Sequence, residues 1–206
     1  MEVSITRSLR PAIFLDRDGT VSEEVGYVNH VSRFRLLPRT AAAIRQINQS
    51  GLLAVLVTNQ AGVARGYFKE SLVRQVHQRL QELLAAGGAR LDGIYYCPHH
   101  PRAGKPPYRL ECNCRKPKPG MIEAASRDLD IDVSRSFMVG DKHSDIIFAH
   151  SVGVPGVLVK TGYGLGEIEQ WSADWSDEPD KIALDLLDAV EWILDRQESD
   201  DRSDDR

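Results

Sequence analysis

Five short apolar runs recur along the chain without alternation of polar and apolar positions: residues 12–15, 52–57, 94–96, 137–139 and 157–159. A strand wetted on one side alternates, whereas a strand covered on both faces reads as an unbroken apolar run. Each run soon gives way to Gly, Asp, Asn or Pro. Between the runs lie segments of helical spacing at 40–49, 69–86, 120–129 and 145–152, and a last one follows at 180–194. In the second of these, Leu72, Val76, Leu80, Leu83 and Leu84 share one face, and Gly87-Gly88 ends it. Alternating buried strands and helices predict right-handed crossovers and a doubly wound, three-layer α/β parallel sheet.

The 206 residues, 42% hydrophobic and 27% charged, suit one globular domain rather than a disordered chain. No apolar run approaches the ~20 residues that span a bilayer, and residues 1–11 lack a hydrophobic signal-peptide centre. A cytoplasmic protein is expected. Net charge is −4, of which −3 falls in residues 195–206, so the body offers no general attraction for nucleic acid or anionic membrane. The expected organisation is one domain over 1–194 and an acidic, disordered tail over 195–206. With no spare apolar helix face, a monomer is expected.

In an open α/β sheet, chemistry gathers beyond the carboxyl ends of the strands. After the first run comes Asp16-Arg17-Asp18-Gly19-Thr20. Two carboxylates this close at a buried strand end repel unless a cation separates them, and Mg²⁺ suits one or two carboxylates plus phosphate oxygens. A polar strand end entering a turn would read the same way. After the second run, Thr58-Asn59-Gln60 offers a hydroxyl and turn amides for phosphate, or merely caps the next segment. After the fourth comes Gly140-Asp141-Lys142-His143-Ser144-Asp145, a further pair of carboxylates.

Two connections are long, 19–38 and 97–119, and long structureless loops in compact domains are usually functional. From 102 to 118 the second carries six basic residues against Glu111 alone. Tyr108 is its one aromatic, so it lacks the stacking surfaces of a single-strand binder, and a small phosphorylated substrate fits it better. A nucleic-acid module built on this basic loop is the rival from another class. All three cysteines fall in the same stretch, as Cys97-Pro98-His99-His100 and Cys112-Asn113-Cys114. Three thiolates and one imidazole make a closed, structural zinc site, although reduced, unliganded cysteines remain the alternative. Spacing does not decide between His99 and His100 as the fourth ligand.

Together these motifs resemble the haloacid dehalogenase (HAD) superfamily of phosphohydrolases, whose fold is a Rossmann-like sheet. The resemblance implies that Asp16 is the nucleophile and Asp18 the general acid and base. It places Mg²⁺ on the Asp16 carboxylate, the Asp18 backbone carbonyl and the Asp141 carboxylate. Thr58 and Lys116 would hold the phosphoryl oxygens, and Asp145 would orient Lys116 or the metal waters rather than bind the metal itself. The segment 97–121 is similar to the zinc-containing heptose-bisphosphate and histidinol-phosphate phosphatases of that superfamily. Its longer loop favours the heptose branch and removal of a C7 phosphate. The same resemblance gives zinc ligands Cys97, His99, Cys112 and Cys114. It carries substrate contacts to Glu24, Val25, Gly26, Tyr27, Thr58, Asn59, Gln60, Ala61, Arg115, Lys116 and Lys142. Residues 19–38 are too few for a cap domain, so a capless site roofed by loops is expected.

Overall fold

A computed structural model describes residues 9–204, the last five of them by their backbone alone. Six parallel strands form one sheet in the order β3-β2-β1-β4-β5-β6. They are β1 (Ala12–Leu15), β2 (Leu53–Asn59), β3 (Gly93–Cys97), β4 (Phe137–Gly140), β5 (Gly156–Val159) and β6 (Lys181–Ala183). β1 lies in the middle, with Ala12 opposite Leu53 on one side and Ile13 opposite Phe137 on the other. The chain winds outward from β1 to β3, returns to β4, and winds the other way. The switch point therefore lies between β1 and β4, where ligands bind in such sheets.

All four β1 side chains are fully buried, and they divide between two cores as strand pleating requires. Ile13 and Leu15 join Leu56, Val139 and Val159 against α1 (Thr40–Ser50), α2 (Glu70–Ala86) and α6 (Leu186–Asp204). Ala12 and Phe14 join Val55 and Met138 against α3 (Gly120–Leu129) and α4 (His143–Ser151). This two-sided burial is the physical reason for the unbroken apolar runs. The connection after β1 contains one 3-10 turn, Val31–Arg33, and isolated bridges from Ser22 to Asp18 and Leu36, so no cap domain covers the sheet edge there. No described helix is long and apolar enough to cross a membrane.

The C-terminal third departs from the sequence reading in three places. A further helix, α5 (Gly164–Trp171), follows β5. The segment 180–194 is not one helix: β6 pairs with β5, and α6 begins only after Asp185. Asp185 Oδ1 accepts from the amides of Leu187 and Asp188, an N-cap that fixes where the helix can start. The tail read as disordered from 195 instead continues α6 to Asp204, while 205 and 206 lie outside the described residues. Two contacts anchor the continuation: Gln197 Nε2 donates to the Arg135 carbonyl at 3.2 Å, and Arg196 lies over the Trp192 ring at 5.4 Å.

One tie across this region is pH-sensitive. On α4, His150 Nδ1 meets Asp177 Oδ1 at 2.5 Å and Nε2 meets Asp180 Oδ2 at 2.9 Å. Asp180 Oδ2 also accepts from the Gly156 amide, so the imidazole is linked to the start of β5. Partial burial opposes the imidazolium, but the two carboxylates outweigh it and raise the His150 pKa above its usual 6.5. A raised folded-state pKa gives stability that is full below the unfolded value and lost as pH rises through the folded one. The melting temperature should therefore fall as pH rises from about 6 to 8, and His150→Gln should flatten that slope. Equal slopes for the two proteins in scanning calorimetry would remove His150 as its cause.

Candidate active site

Three strand ends converge at the switch point. Asp16 leaves β1 with its amide bonded to the Val139 carbonyl of β4, Thr58 sits near the end of β2, and Asp141 follows β4. One carboxylate oxygen each from Asp16, Asp141 and Asp145 lies within 4.8 Å of the others, and all three residues are buried. A single ammonium stands among them: Lys116 Nζ donates to Asp16 Oδ1 and Asp145 Oδ1, both at 2.6 Å. The loop places it there through Asn59, whose side-chain amide clasps the Lys116 backbone at 3.1 and 3.2 Å. Asn59 lines the cleft, yet its amide is committed to positioning Lys116.

The charges do not balance. Burial, offset by Lys116 but reinforced by Asp145 and Asp18, raises Asp16 to about 6. Burial, then the neighbouring Asp16 and Asp145, raises Asp141 to about 8. Burial opposes the charge on Lys116, but Asp145 and Asp16 outweigh it and hold the ammonium firmly protonated. Asp141 Oδ2 accepts from the Tyr163 amide at 2.9 Å, while its Oδ1 is buried with no hydrogen-bond partner. An orphaned anionic oxygen beside two more carboxylates is the donor set of a hard divalent cation, and Mg²⁺ fits it. Asp145 is placed differently, with Oδ1 on Lys116 and Oδ2 on the Lys142 amide, so of the two roles the resemblance offered its hydrogen bonds go to the lysine.

The Asp18 side chain stands outside this cluster. Arg17, buried at 2% exposure, donates to Asp18 Oδ1 at 2.8 Å and Oδ2 at 2.6 Å, and Gln60 Nε2 donates to Oδ2 at 3.0 Å. Burial pushes the Asp18 carboxyl up, but Arg17 and Gln60 prevail and hold it below its usual range. Behind Arg17, on α2, His77 Nε2 lies 3.3 Å from Nη1. Burial, with Arg17 adding to it, drives His77 down to about 3, so it is a neutral acceptor of the guanidinium. Gln60 Nε2 also donates to Thr58 Oγ1, which leaves the threonine hydroxyl proton for the cleft.

The cleft over these groups holds about 330 Å³. Asp16, Asp18, Glu24, Gly26, Tyr27, Thr58, Asn59, Ala61, Arg115, Lys116 and Lys142 all line it, as expected. Two expected contacts do not: Val25 packs on the core, and Gln60 is buried behind Asp18. Four contributors were not expected. Ser144 and Tyr163 line the cleft, and Lys142 Nζ sits 4.3 Å over the Tyr163 ring. Arg17 and His77 buttress Asp18 from behind. Glu24 Oε2 lies 3.7 Å from Lys142 Nζ, while Oε1 accepts from the Gly26 amide.

The cysteine cluster closes as a four-cornered cage. Cys97 and Cys112 sulfurs are 3.5 Å apart, Cys112 and Cys114 3.3 Å, and His99 Nδ1 lies 3.4 Å from Cys114 and 3.8 Å from Cys97. Ligands ~2.0–2.3 Å from one ion stand about 3.3–3.8 Å apart in a tetrahedron, so the set fits zinc with no position left open. Geometry also separates the two histidines, because His100 Nδ1 is occupied by the amides of Arg102 and Ala103. The cage adjoins the cleft: Arg115, which follows Cys114, donates to the His99 carbonyl at 3.3 Å. Farther along the loop, Tyr108 donates to Glu70 of α2 at 2.7 Å.

Residues 113–189 match the HAD-hydrolase-like family. A D-glycero-D-manno-heptose-1,7-bisphosphate 7-phosphatase of Thermosynechococcus vestitus is 46% identical over 188 residues, covering 89% of this chain and 95% of that protein. The D-glycero-beta-D-manno-heptose-1,7-bisphosphate 7-phosphatase of Escherichia coli K12 is 43% identical over 166 residues, covering 80% and 87%. A crystal structure of D,D-heptose 1,7-bisphosphate phosphatase from B. bronchiseptica, complexed with magnesium and phosphate, matches with a TM-score of 0.79. It is 33% identical, with coverage of 90% of this chain and 99% of that one.

Two outcomes follow from the geometry. At Gly162 (φ 57°) an added Cβ would stand 2.2 Å from Asp141 Oδ2 and 2.5 Å from the Gly19 Cα. Gly162→Ala should therefore weaken Mg²⁺ binding about tenfold, roughly 1.4 kcal/mol, in titration calorimetry. Unchanged affinity would mean that the 160–164 turn does not set the Asp141 carboxylate. Purified protein should carry about one zinc per chain, and Cys112→Ser should lose it and melt about 5–10 °C lower. A zinc-free protein with an unaltered melting curve would remove the cage from the stability of the fold.

Proposed function

Because the chain belongs to the heptose-1,7-bisphosphate 7-phosphatase family of HAD-like hydrolases, we propose that it hydrolyses the C7 phosphate ester of D-glycero-D-manno-heptose 1,7-bisphosphate. The product, heptose 1-phosphate, would feed nucleotide-activated heptose synthesis. One observation carries the reading: three buried carboxylates cluster around a single ammonium that bonds only two of them, beneath a cleft lined by Arg115 and Lys142. Such a floor accepts a phosphoryl group with its counter-ion, and such a rim favours a substrate with a second negative group over one with a cationic end.

In this scheme Asp16 attacks phosphorus and forms an aspartyl-phosphate as the sugar oxygen leaves. Lys116 Nζ, already beside Asp16, and the free hydroxyl proton of Thr58 hold phosphoryl oxygens where charge builds. Asp16, Asp141 and the Asp18 carbonyl would hold Mg²⁺, which supplies charge neutralisation and orients the phosphoryl group when bound. Asp18 protonates the leaving oxygen, then takes a proton from the water that hydrolyses the intermediate. Its ionised pairing with Arg17 and Gln60 suits the second task. For the first, an arriving phosphate dianion raises the carboxylate's affinity for a proton by like-charge repulsion. Zn²⁺ on Cys97, His99, Cys112 and Cys114 would fix the loop that carries Arg115 and Lys116.

Phosphate release measured across sugar bisphosphates and histidinol phosphate, with and without Mg²⁺, tests the assignment. The heptose bisphosphate should be hydrolysed at C7 alone and only with the cation, and Asp16→Asn should lower kcat by at least about 10⁴-fold. Preference for histidinol phosphate would overturn the substrate, and an active Asp16→Asn protein would overturn the nucleophile.

A further inference from the structure

Beyond the cleft floor, a second group of cations lies where the zinc loop meets the turn after β2. Arg65 belongs to that turn, its amide bonded to the Ala61 carbonyl at 3.0 Å, and Ala61 lines the cleft. His100 belongs to the zinc loop. The two backbones are locked together at Gly104 (φ 82°), where an added Cβ would lie 1.6 Å from the Ala64 carbonyl oxygen. Only a glycine allows that approach.

The lock brings Arg65 Nη2 to 3.3 Å from His100 Nε2. His100 Nδ1 accepts two backbone N–H groups, from Arg102 at 3.1 Å and Ala103 at 2.9 Å, so Nδ1 carries no proton. The ring's proton must then sit on Nε2, which makes Nε2 a donor. Arginine nitrogens are donors only. Two donors therefore face each other, an arrangement that one shared anionic oxygen would satisfy. Among the described residues no carboxylate pairs with Arg65, Arg102 or Arg115. Arg115 extends the group to the cleft, which it lines.

We propose that Arg65 and His100 form a subsite for the second phosphate of a bisphosphate substrate, the one that is not cleaved. The inference rests on the heptose-bisphosphatase reading and adds to it the residues that distinguish a bisphosphate from a monophosphate. Charge-assisted N–H···O bonds to phosphate are strong and directional, so the pair fixes which ester reaches Asp16. No covalent step is involved.

The test compares kcat/KM for heptose 1,7-bisphosphate and heptose 7-phosphate in the wild type, Arg65→Met and Arg65→Lys. Arg65 makes no other side-chain hydrogen bond among the described residues, so its truncation should not disturb folding. The wild type should prefer the bisphosphate. Arg65→Met should lower that preference about tenfold, mainly through KM for the bisphosphate, and Arg65→Lys should restore part of it. An unchanged ratio would overturn the subsite, as would equal losses on both substrates, which would mark general electrostatic steering. A wild type that leaves the bisphosphate intact would instead overturn the parent reading.

Discussion

Lys116 holds the centre of the molecule together. Two unit charges ~4 Å apart interact by about 4 kcal/mol at an effective dielectric of 20, so three carboxylates in one buried spot could not all ionise unaided. One ammonium, 2.6 Å from Asp16 and from Asp145, neutralises part of that repulsion and leaves Asp141 in excess. The imbalance is what makes the site receptive to a divalent ion. Because Lys116 lies at the end of a long loop, the charge balance depends on how that loop is held. Asn59 clasps its backbone from β2, and the Cys97–His99–Cys112–Cys114 cage sets the chain just before it. Damage to the loop would therefore be felt first as unbalanced charge at Asp16.

Much of this centre was legible in the sequence because Asp16, Thr58 and Asp141 each abut an apolar run. Lys116 and the cysteines stood out by their unusual density in one segment. The groups behind them were hidden. His77 lies 60 residues from Arg17 along the chain, on an amphipathic helix where a buried histidine reads as part of the interior face. Tyr163 acts through its backbone amide on Asp141, which any residue could supply. The available signal was the Thr161-Gly162-Tyr163-Gly164 turn at the end of β5, two glycines around the residue whose amide meets Asp141.

The C-terminal third was misread for a different reason. β6 has only three residues, with Ile182 exposed and Lys181 half-buried, so no apolar run announces it. Helical spacing over 180–194 then absorbed the strand. Asp185 was the readable correction, since an Asp ahead of Leu186-Leu187-Asp188 marks an N-cap more naturally than a helix interior. Beyond Leu194 composition alone implied disorder, and it overlooked Trp192 and Arg135 as purchase for Arg196 and Gln197. The arginine clustering around His100 was visible as charge, but its meaning depended on a tautomer that only the backbone amides of 102 and 103 define.

The connection after β1 contributes one 3-10 turn and no lid. Phosphatases that close a domain over the reaction must open it again to free their products, and that motion often limits turnover. A crevice with no cap domain needs no such domain motion: alcohol and phosphate can leave along the route by which the ester entered. Selectivity then has to be exercised by grip at the doorway rather than by enclosure. Exchanging the two roofing loops, with the sheet left untouched, would be the economical way for this scaffold to acquire a different ester.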